Sequence, residues 1–275
     1  TYSVACDISG TQQVGTVVLN TVGRASLWSG TAASWVDLNP IEAEASNAYG
    51  VHDGQQVGRA IAGGIERASL WTGTAASWVD LNPTGSTASV AYDVYAGQQV
   101  GVALFNGIHH AGLWNGTAAS WLDLNPPGAE LSEARGVHEG RQVGYAAFNG
   151  VMRAGLWTGT ADSWEDLSQA LPGSWGHSMA QCIWSDATTI YIAGFGFNYD
   201  SSRWEALLWT RSILTCPADV GGDGSVDIYD LLAIVSTWGS CLAPCPPACS
   251  GDTNDDCLVN ILDLLTIVEN WGRCS

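Results

Sequence analysis

Short apolar stretches recur along the first three quarters of the chain, each cut off by Gly, Asn, Ser or Thr, as in NAYGVHDG, QQVGRAIAG, RASLWTG and SWVDLNP. Runs of this kind between turn formers predict short β-strands. Helix is disfavoured, because glycine and β-branched residues interrupt every helical window. The strands are covered on both faces: Ala25 and Leu27 point one way, Ser26 and Trp28 the other. That pattern predicts sheets packed between neighbouring sheets.

The pattern is also periodic. GTAASWVDLNP fills Gly30 to Pro40 and returns letter for letter at Gly73 to Pro83, followed by GTAASWLDLNP from Gly116 and GTADSWEDLS from Gly159, a step of 43 residues. QQVG begins at Gln12, Gln55 and Gln98 and RQVG at Arg141, while ASLW, AGLW or ALLW ends on Trp28, Trp71, Trp114, Trp157 and Trp209. There are five units, the fifth displaced by insertions around Pro172 to Gly176 and Phe197 to Ser202. Four short strands per unit with aromatics at fixed places predict a propeller blade. The expectation is a mainly β chain whose residues 1–215 form a five-bladed β-propeller with blades of about four strands. A blade cannot bury its faces alone, and copying it supplies the neighbours.

RASLWSGTAASWVDLNP together with the GQQVG strand resembles the HAF-type repeats of secreted bacterial proteins, over roughly Thr1 to Thr215. The resemblance implies a propeller-like architecture and is nearly silent on function.

At Cys216 the character changes. CPADVGGDGSVDIYDLLAIVSTWGSC and CSGDTNDDCLVNILDLLTIVENWGRC are two copies of another unit, each an acidic loop followed by an apolar helix, which makes 216–275 a second domain. In the second copy Asp252, Asn254, Asp256, Asn260 and Asp263 occupy loop positions 1, 3, 5, 9 and 12, with the Leu258 carbonyl at position 7. Calcium takes six to eight oxygens wrapped by a flexible turn, and this spacing supplies them. The pair resembles the type I dockerin module, which implies two calcium ions. The carry-over to the first copy places Asp219, Asp223, Ser225, Asp227 and Asp230 at positions 1, 5, 7, 9 and 12. Two departures stand out: Gly221 replaces an oxygen donor at position 3 of the first loop, and Cys257 replaces the turn glycine at position 6 of the second. Positions 10 and 11, small hydroxyl residues in cohesin-binding dockerins, are Ile228 with Tyr229 and Ile261 with Leu262, which speaks against binding a classical cohesin and for burial of these apolar residues against this propeller or another copy.

The eight cysteines fit an oxidised, extracellular setting. Equal spacing favours Cys216 with Cys241 and Cys249 with Cys274, leaving Cys245 with Cys257 as a third pair. Alignment of ACDIS with QCIWS brings Cys6 and Cys182 to nearly the same point of units one and five, so a bond between them is expected to latch a closed ring.

Composition narrows the function. With 46% hydrophobic and 13% charged residues the chain is not disordered. Its formal charge is −18, and its nine basic residues are all arginine. Nucleic acid and anionic membrane are therefore poor partners and divalent cations good ones. No apolar run reaches the length of a membrane span, and no basic, apolar leader opens the chain, so it reads as a processed, secreted protein.

Catalytic motifs are scarce. GHSMA (Gly176 to Ala180) echoes a nucleophile elbow without its trailing glycine. His52 and His138 share a repeat column that Tyr95 and Trp184 fill elsewhere, a weak metal-site pattern against a turn reading. Arg24, Arg67, His110 and Arg153 form a column that becomes Glu205, and Asp37, Asp80 and Asp123 repeat too regularly to form one unique centre. Nine of the fourteen tryptophans sit at repeated blade positions, where core packing is the default over sugar stacking. Three classes follow in order of preference. The first is a non-enzymatic structural protein that assembles with itself into an extracellular polymer through its last blade and tail. The second is a lectin-like propeller or a module docking on another surface protein. The third is a glycoside-cleaving enzyme.

Overall fold

The structure, a computed structural model, describes residues 2–186, 189–212, 218–221, 225–241, 251–254 and 256–273. The chain divides into two compact units, Thr1–Arg211 and Ser212–Ser275.

The first unit contains five antiparallel sheets laid down in chain order. They are β1–β4 (Tyr2–Ser9, Gln12–Leu19, Val22–Trp28, Val36–Asp37), β5–β8 (Ala45–His52, Gln55–Ala62, Ile65–Trp71, Val79–Asp80), β9–β12 (Ala88–Tyr95, Gln98–Phe105, Ile108–Trp114, Leu122–Asp123), β13–β16 (Leu131–His138, Arg141–Phe148, Val151–Trp157, Glu165–Asp166) and β17–β19 (Trp175–Ser185, Thr189–Asn198, Arg203–Ser212). Each sheet pairs its strands in sequence order, so every connection is a hairpin or a short turn. Four sheets have the expected four strands, the fourth being only two residues long; the fifth sheet has three among the described residues.

Each recurring phrase of the sequence has a mechanical cause. In every first strand a bulge shifts the register, as at Ala5/Asp7 and Ala48/Gly50, and pushes a carbonyl toward the second strand. The glycine of QQVG lies under that carbonyl: a Cβ on Gly15, Gly58, Gly101, Gly144 or Gly194 would overlap the oxygen of Val4, Asn47, Val90, Glu133 or Met179. The second glutamine of the motif is buried at Gln56, Gln99 and Gln142, and its Oε1 accepts the amide of Gly73, Gly116 and Gly159 at 2.7–2.8 Å. The GTAAS turn is thereby fixed to the second strand. Its serine closes a single 3₁₀ turn, Ser34 Oγ accepting from Ser29 N and donating to the Thr31 carbonyl, both at 2.7 Å. DLN is an aspartate turn in which Asp37 Oδ1 accepts from Asn39 N at 2.9 Å while Oδ2 pairs with Arg24 at 2.6 Å.

Adjacent sheets pack face to face in one repeated seam. In the first, Val14, Ala25, Leu27 and Leu38 of one sheet meet Ala48, Val51 and Trp71 of the next. Equivalent clusters join the second sheet to the third around Trp114 and the third to the fourth around Trp157. A buried serine crosses each seam: Ala25 N donates to Ser46 Oγ, Ala68 N to Ser89, Ala111 N to Ser132 and Ala154 N to Ser178, at 2.9–3.0 Å. Asp7 and Asp93 add a second crossing bond, accepting the amides of Val51 and Val137 at 2.8 and 2.9 Å.

The expected closure of five blades into a latched ring is corrected here. First and fifth sheets do not pack as adjacent sheets do, and Cys6 and Cys182 are free, exposed thiols. The physical reason is the bulge. It makes Cys6 the extra residue of its strand and Asp7 the partner of Val14, whereas Cys182 is the partner of Ala193, so the two cysteines are one register position out of step.

The second unit is built from two similar halves. Helices α1 (Ile228–Ser236) and α2 (Ile261–Glu269) each follow a loop, with two-residue strands β20 (Ser225–Val226), β21 (Gly239–Ser240), β22 (Leu258–Val259) and β23 (Gly272–Arg273) pairing β20 with β23 and β21 with β22. Ala218, Val226, Ile234, Val259 and Ile267 form its small core.

Candidate functional site

The helix starts of the second unit are built around two buried carboxylates. Asp230 and Asp263, 2% and 0% exposed, sit at the third residue of α1 and α2. Each receives a loop amide on one oxygen and the helix N-cap amide on the other: Gly221 N and Asp227 N on Asp230, Thr253 N and Asn260 N on Asp263, all at 2.8 Å. The N-cap side chains reciprocate, Asp227 Oδ1 accepting from Tyr229 N and Asn260 Oδ1 from Leu262 N at 2.8 Å. This is a capping box in which the carboxylate also closes the loop before the helix.

The second loop turns its oxygens inward. Asp252 accepts the amides of Asp256 at 3.2 Å and Cys257 at 2.8 Å, Asn254 Oδ1 that of Asp256 at 3.0 Å, and Asp256 Oδ1 that of Leu258 at 2.9 Å. Cys257 has φ +70°, the left-handed conformation that a glycine takes without strain, at the position where the sequence reading expects one. The donor set is oxygen only, which suits a hard divalent cation. Among the described residues no three His, Cys, Asp or Glu side chains cluster as a metal site, and the loop oxygens are engaged with backbone amides. Asp223 lies outside the described residues, as do Cys216, Cys245, Cys249 and Cys274. Cys241 and Cys257 are each disulfide-bonded.

The four residues expected at an interface, Ile228, Tyr229, Ile261 and Leu262, are all exposed. The sequence reading missed that they belong to longer stripes. Leu232, Val235 and Trp238 continue the first, and Leu265, Val268 and Trp271 occupy the matching positions of the second, with every member between 46% and 71% exposed. The signal was present in the helical spacing, since residues three and four apart share a face.

In the first unit, the initial strands of all five sheets line a cavity of about 500 Å³. The His52, Tyr95 and His138 rings lie tilted against one another along it, with centroids 4.3 and 4.2 Å apart and Tyr95 between the two histidines. His138 Nδ1 and Glu139 Oε2 both contact Ser185 Oγ, at 3.0 and 2.7 Å. With the hydroxyl donating to the carboxylate, the Ser185 oxygen is left to accept from His138 Nδ1. Arg135 lies over the Tyr92 ring at 4.1 Å and pairs with buried Glu133 at 2.5 Å. Asp93, beside them, is pushed up to about 6 by burial.

The remaining candidates make contacts within and between sheets. Ser178 of GHSMA is the buried seam serine. The arginine and histidine column pairs with the aspartate column, Arg67 with Asp80 at 2.6 Å, His110 with Asp123 at 2.7 Å and Arg153 with Asp166 at 2.8 Å. Glu205 is held well below the ordinary carboxylate range, at about 2, by hydrogen bonds from Ser201, Arg203 and Asn198.

No protein-family model and no curated protein matches the sequence. Among solved structures, a putative TolB from Agrobacterium tumefaciens is similar with a TM-score of 0.52 at 9% identity, over 77% of this chain and 90% of that one. TolB from Acinetobacter baumannii gives 0.45 at 11% identity over 57% of this chain and 41% of that one, and a chain of a nidogen/laminin complex 0.44 at 8%, over 74% and 80%. The first likeness shows the fold: this is a propeller-type β-repeat protein. Among the described residues no helix is long and apolar enough to cross a membrane.

Proposed function

We propose that this is a secreted, non-enzymatic structural protein whose propeller-type unit is a building block and whose dockerin-like tail binds two calcium ions and joins copies into an extracellular polymer. The observation that carries the reading is the pair of matching apolar stripes beginning at Ile228 and Ile261, exposed in the isolated chain. Apolar surface of this extent is costly to leave in water and marks an interaction site. Asp219, Asp223, Ser225, Asp227 and Asp230 would hold one ion, and Asp252, Asn254, Asp256, Leu258, Asn260 and Asp263 the other. Calcium would neutralise the acidic loops and fix the helices that present the stripes. The outer edge of β19 adds a second adhesive element, since the fifth sheet has no fourth strand among the described residues. Concentrated protein with calcium should elongate under the electron microscope and sediment as larger oligomers than it forms in a chelator, and Ile261→Asp should abolish that calcium-dependent growth. A strictly monomeric protein under those conditions would refute the reading.

A second reading, a lectin-like propeller, draws support from the row of aromatic rings His52, Tyr95 and His138 in the cavity that Asp93 and Arg135 also line. Saturable glycan binding by a monomer would favour it, whereas docking of the tail stripes on a different surface protein would favour neither self-assembly nor the lectin but a dockerin-type docking module.

A further inference from the structure

We infer that the two ends of the five-sheet arc are the two halves of one seam, and that the first sheet of a second copy of this chain seats on the fifth sheet as each sheet within the chain seats on the one before it. The evidence is a set of positions that are buried in every internal seam and open at the ends. Leu208 is 66% exposed, whereas its repeat equivalents Leu27, Leu70, Leu113 and Leu156 are 3–4% exposed. On the opposite end Ile8 is 65% exposed, against 3% for Val51, Val94 and Val137 and 9% for Ile183. Trp28 is only half-buried, while Trp71, Trp114 and Trp157 have no exposure at all. Ala206, at the position of the fully buried Ala25, is exposed too.

The polar part of the seam is kept as well. Each internal seam is crossed by an alanine amide donating to a serine of the following sheet. At the ends, the alanine is Ala206 and the serine is Ser3, which is exposed. Both end faces therefore carry the apolar and hydrogen-bonding groups of the seam although no sheet of this chain covers them. Because the faces differ, the contact is head-to-tail, and repetition yields a larger ring or an open helical filament. The inference rests on the self-association reading but not on the calcium tail.

The test is sedimentation velocity of the full chain in a calcium chelator, which silences the tail. Wild-type protein should associate with rising concentration. Leu208→Asp and Ile8→Asp, each at an exposed site that leaves the monomer fold intact, should weaken association at least about 100-fold, by losing a buried apolar side chain and burying an unpaired carboxylate. An equimolar mixture of the two should recover pairs and stop there, since one variant supplies an intact first sheet and the other an intact fifth. A wild-type chain that stays monomeric in chelator, variants that associate like wild type, or a mixture that stays monomeric would each overturn the seam. If calcium-driven polymers are lost with Ile261→Asp yet unaffected by both seam variants, the proposed function stands and this inference falls. If association in chelator needs Leu208 and calcium adds nothing, the reverse holds.

Discussion

Replacing Gly101 by alanine puts one methyl group where the chain has no room for it. An ideal Cβ there would overlap the Val90 carbonyl oxygen and stand 2.9 Å from Ala91 Cα, both backbone atoms of the paired strand β9. A carbon and a carbonyl oxygen meet comfortably at about 3.3 Å or more. No rotamer relieves the clash, so β9 and β10 must separate at the bulge. Losing one or two ladder bonds at about 1 kcal/mol each, with overpacking strain of about 1–3 kcal/mol, gives a destabilisation of about 2–5 kcal/mol. For a unit of this size that lowers the melting temperature by about 4–20 °C. The control is Gly112→Ser. A Cβ at Gly112 would also collide, but with the ring of Trp121, the movable end of a side chain. Two other sheets display the relaxed answer: Ser26 and Ser69 occupy the same position and accept from Trp35 Nε1 and Trp78 Nε1 at 2.9 Å. Gly112→Ser should therefore stay within about 1 kcal/mol of wild type. Calorimetric melting of both variants at fixed calcium decides the matter, and equal melting temperatures would refute the argument.

Other outcomes follow from the same geometry. Calorimetric titration should find two calcium sites, the second tighter because Asn254 supplies an oxygen that Gly221 cannot, with Asp252→Ala and Asp219→Ala each removing one; unchanged binding in both would end the calcium reading. Ser89→Ala should cost about 1–3 kcal/mol by stranding the Ala68 amide, which its hydroxyl accepts at 2.9 Å, and a cost near zero would mean that the seam serine is dispensable. Burial raises Asp93 to about 6, so its protonated form stabilises the fold at low pH and that contribution is lost as pH rises through 6. In chelator, the stability of Asp93→Asn relative to wild type should accordingly fall by about 1 kcal/mol between pH 7 and pH 5; a pH-independent difference in urea unfolding would contradict this.

The repeat was legible because each of its signals is local. The turn formers, the period and the tryptophan column fix strand order without any long-range information, and the helices follow from the capping residues Asp227 and Asn260. The causes behind the columns were not legible. The glycine of QQVG reads as one more strand residue, yet it answers a bulge in a different strand. Ser46 reads as an ordinary strand residue, and only the stacking of sheets makes it a seam residue. The arginine and aspartate columns were visible separately, and the register that pairs Arg24 with Asp37 turned two suspected sites into one strut. Ring closure failed for the same kind of reason: letter alignment of Cys6 with Cys182 ignores the extra residue in the bulge. The apolar stripes of the tail were half seen, because two positions of each drew notice through the family pattern and the rest required the helix to be turned.

The repeated seam bears on how such a protein changes over generations. Every sheet meets its predecessor through the same alanine, serine, leucine and tryptophan positions, so a duplicated or deleted unit leaves each remaining junction chemically intact. The identical stretches at Gly30 to Pro40 and Gly73 to Pro83 are also the places where unequal recombination of a gene would add or remove a whole unit in frame. Unit number is then a heritable variable that selection can adjust in single steps, and each step would turn the end faces relative to one another by one sheet.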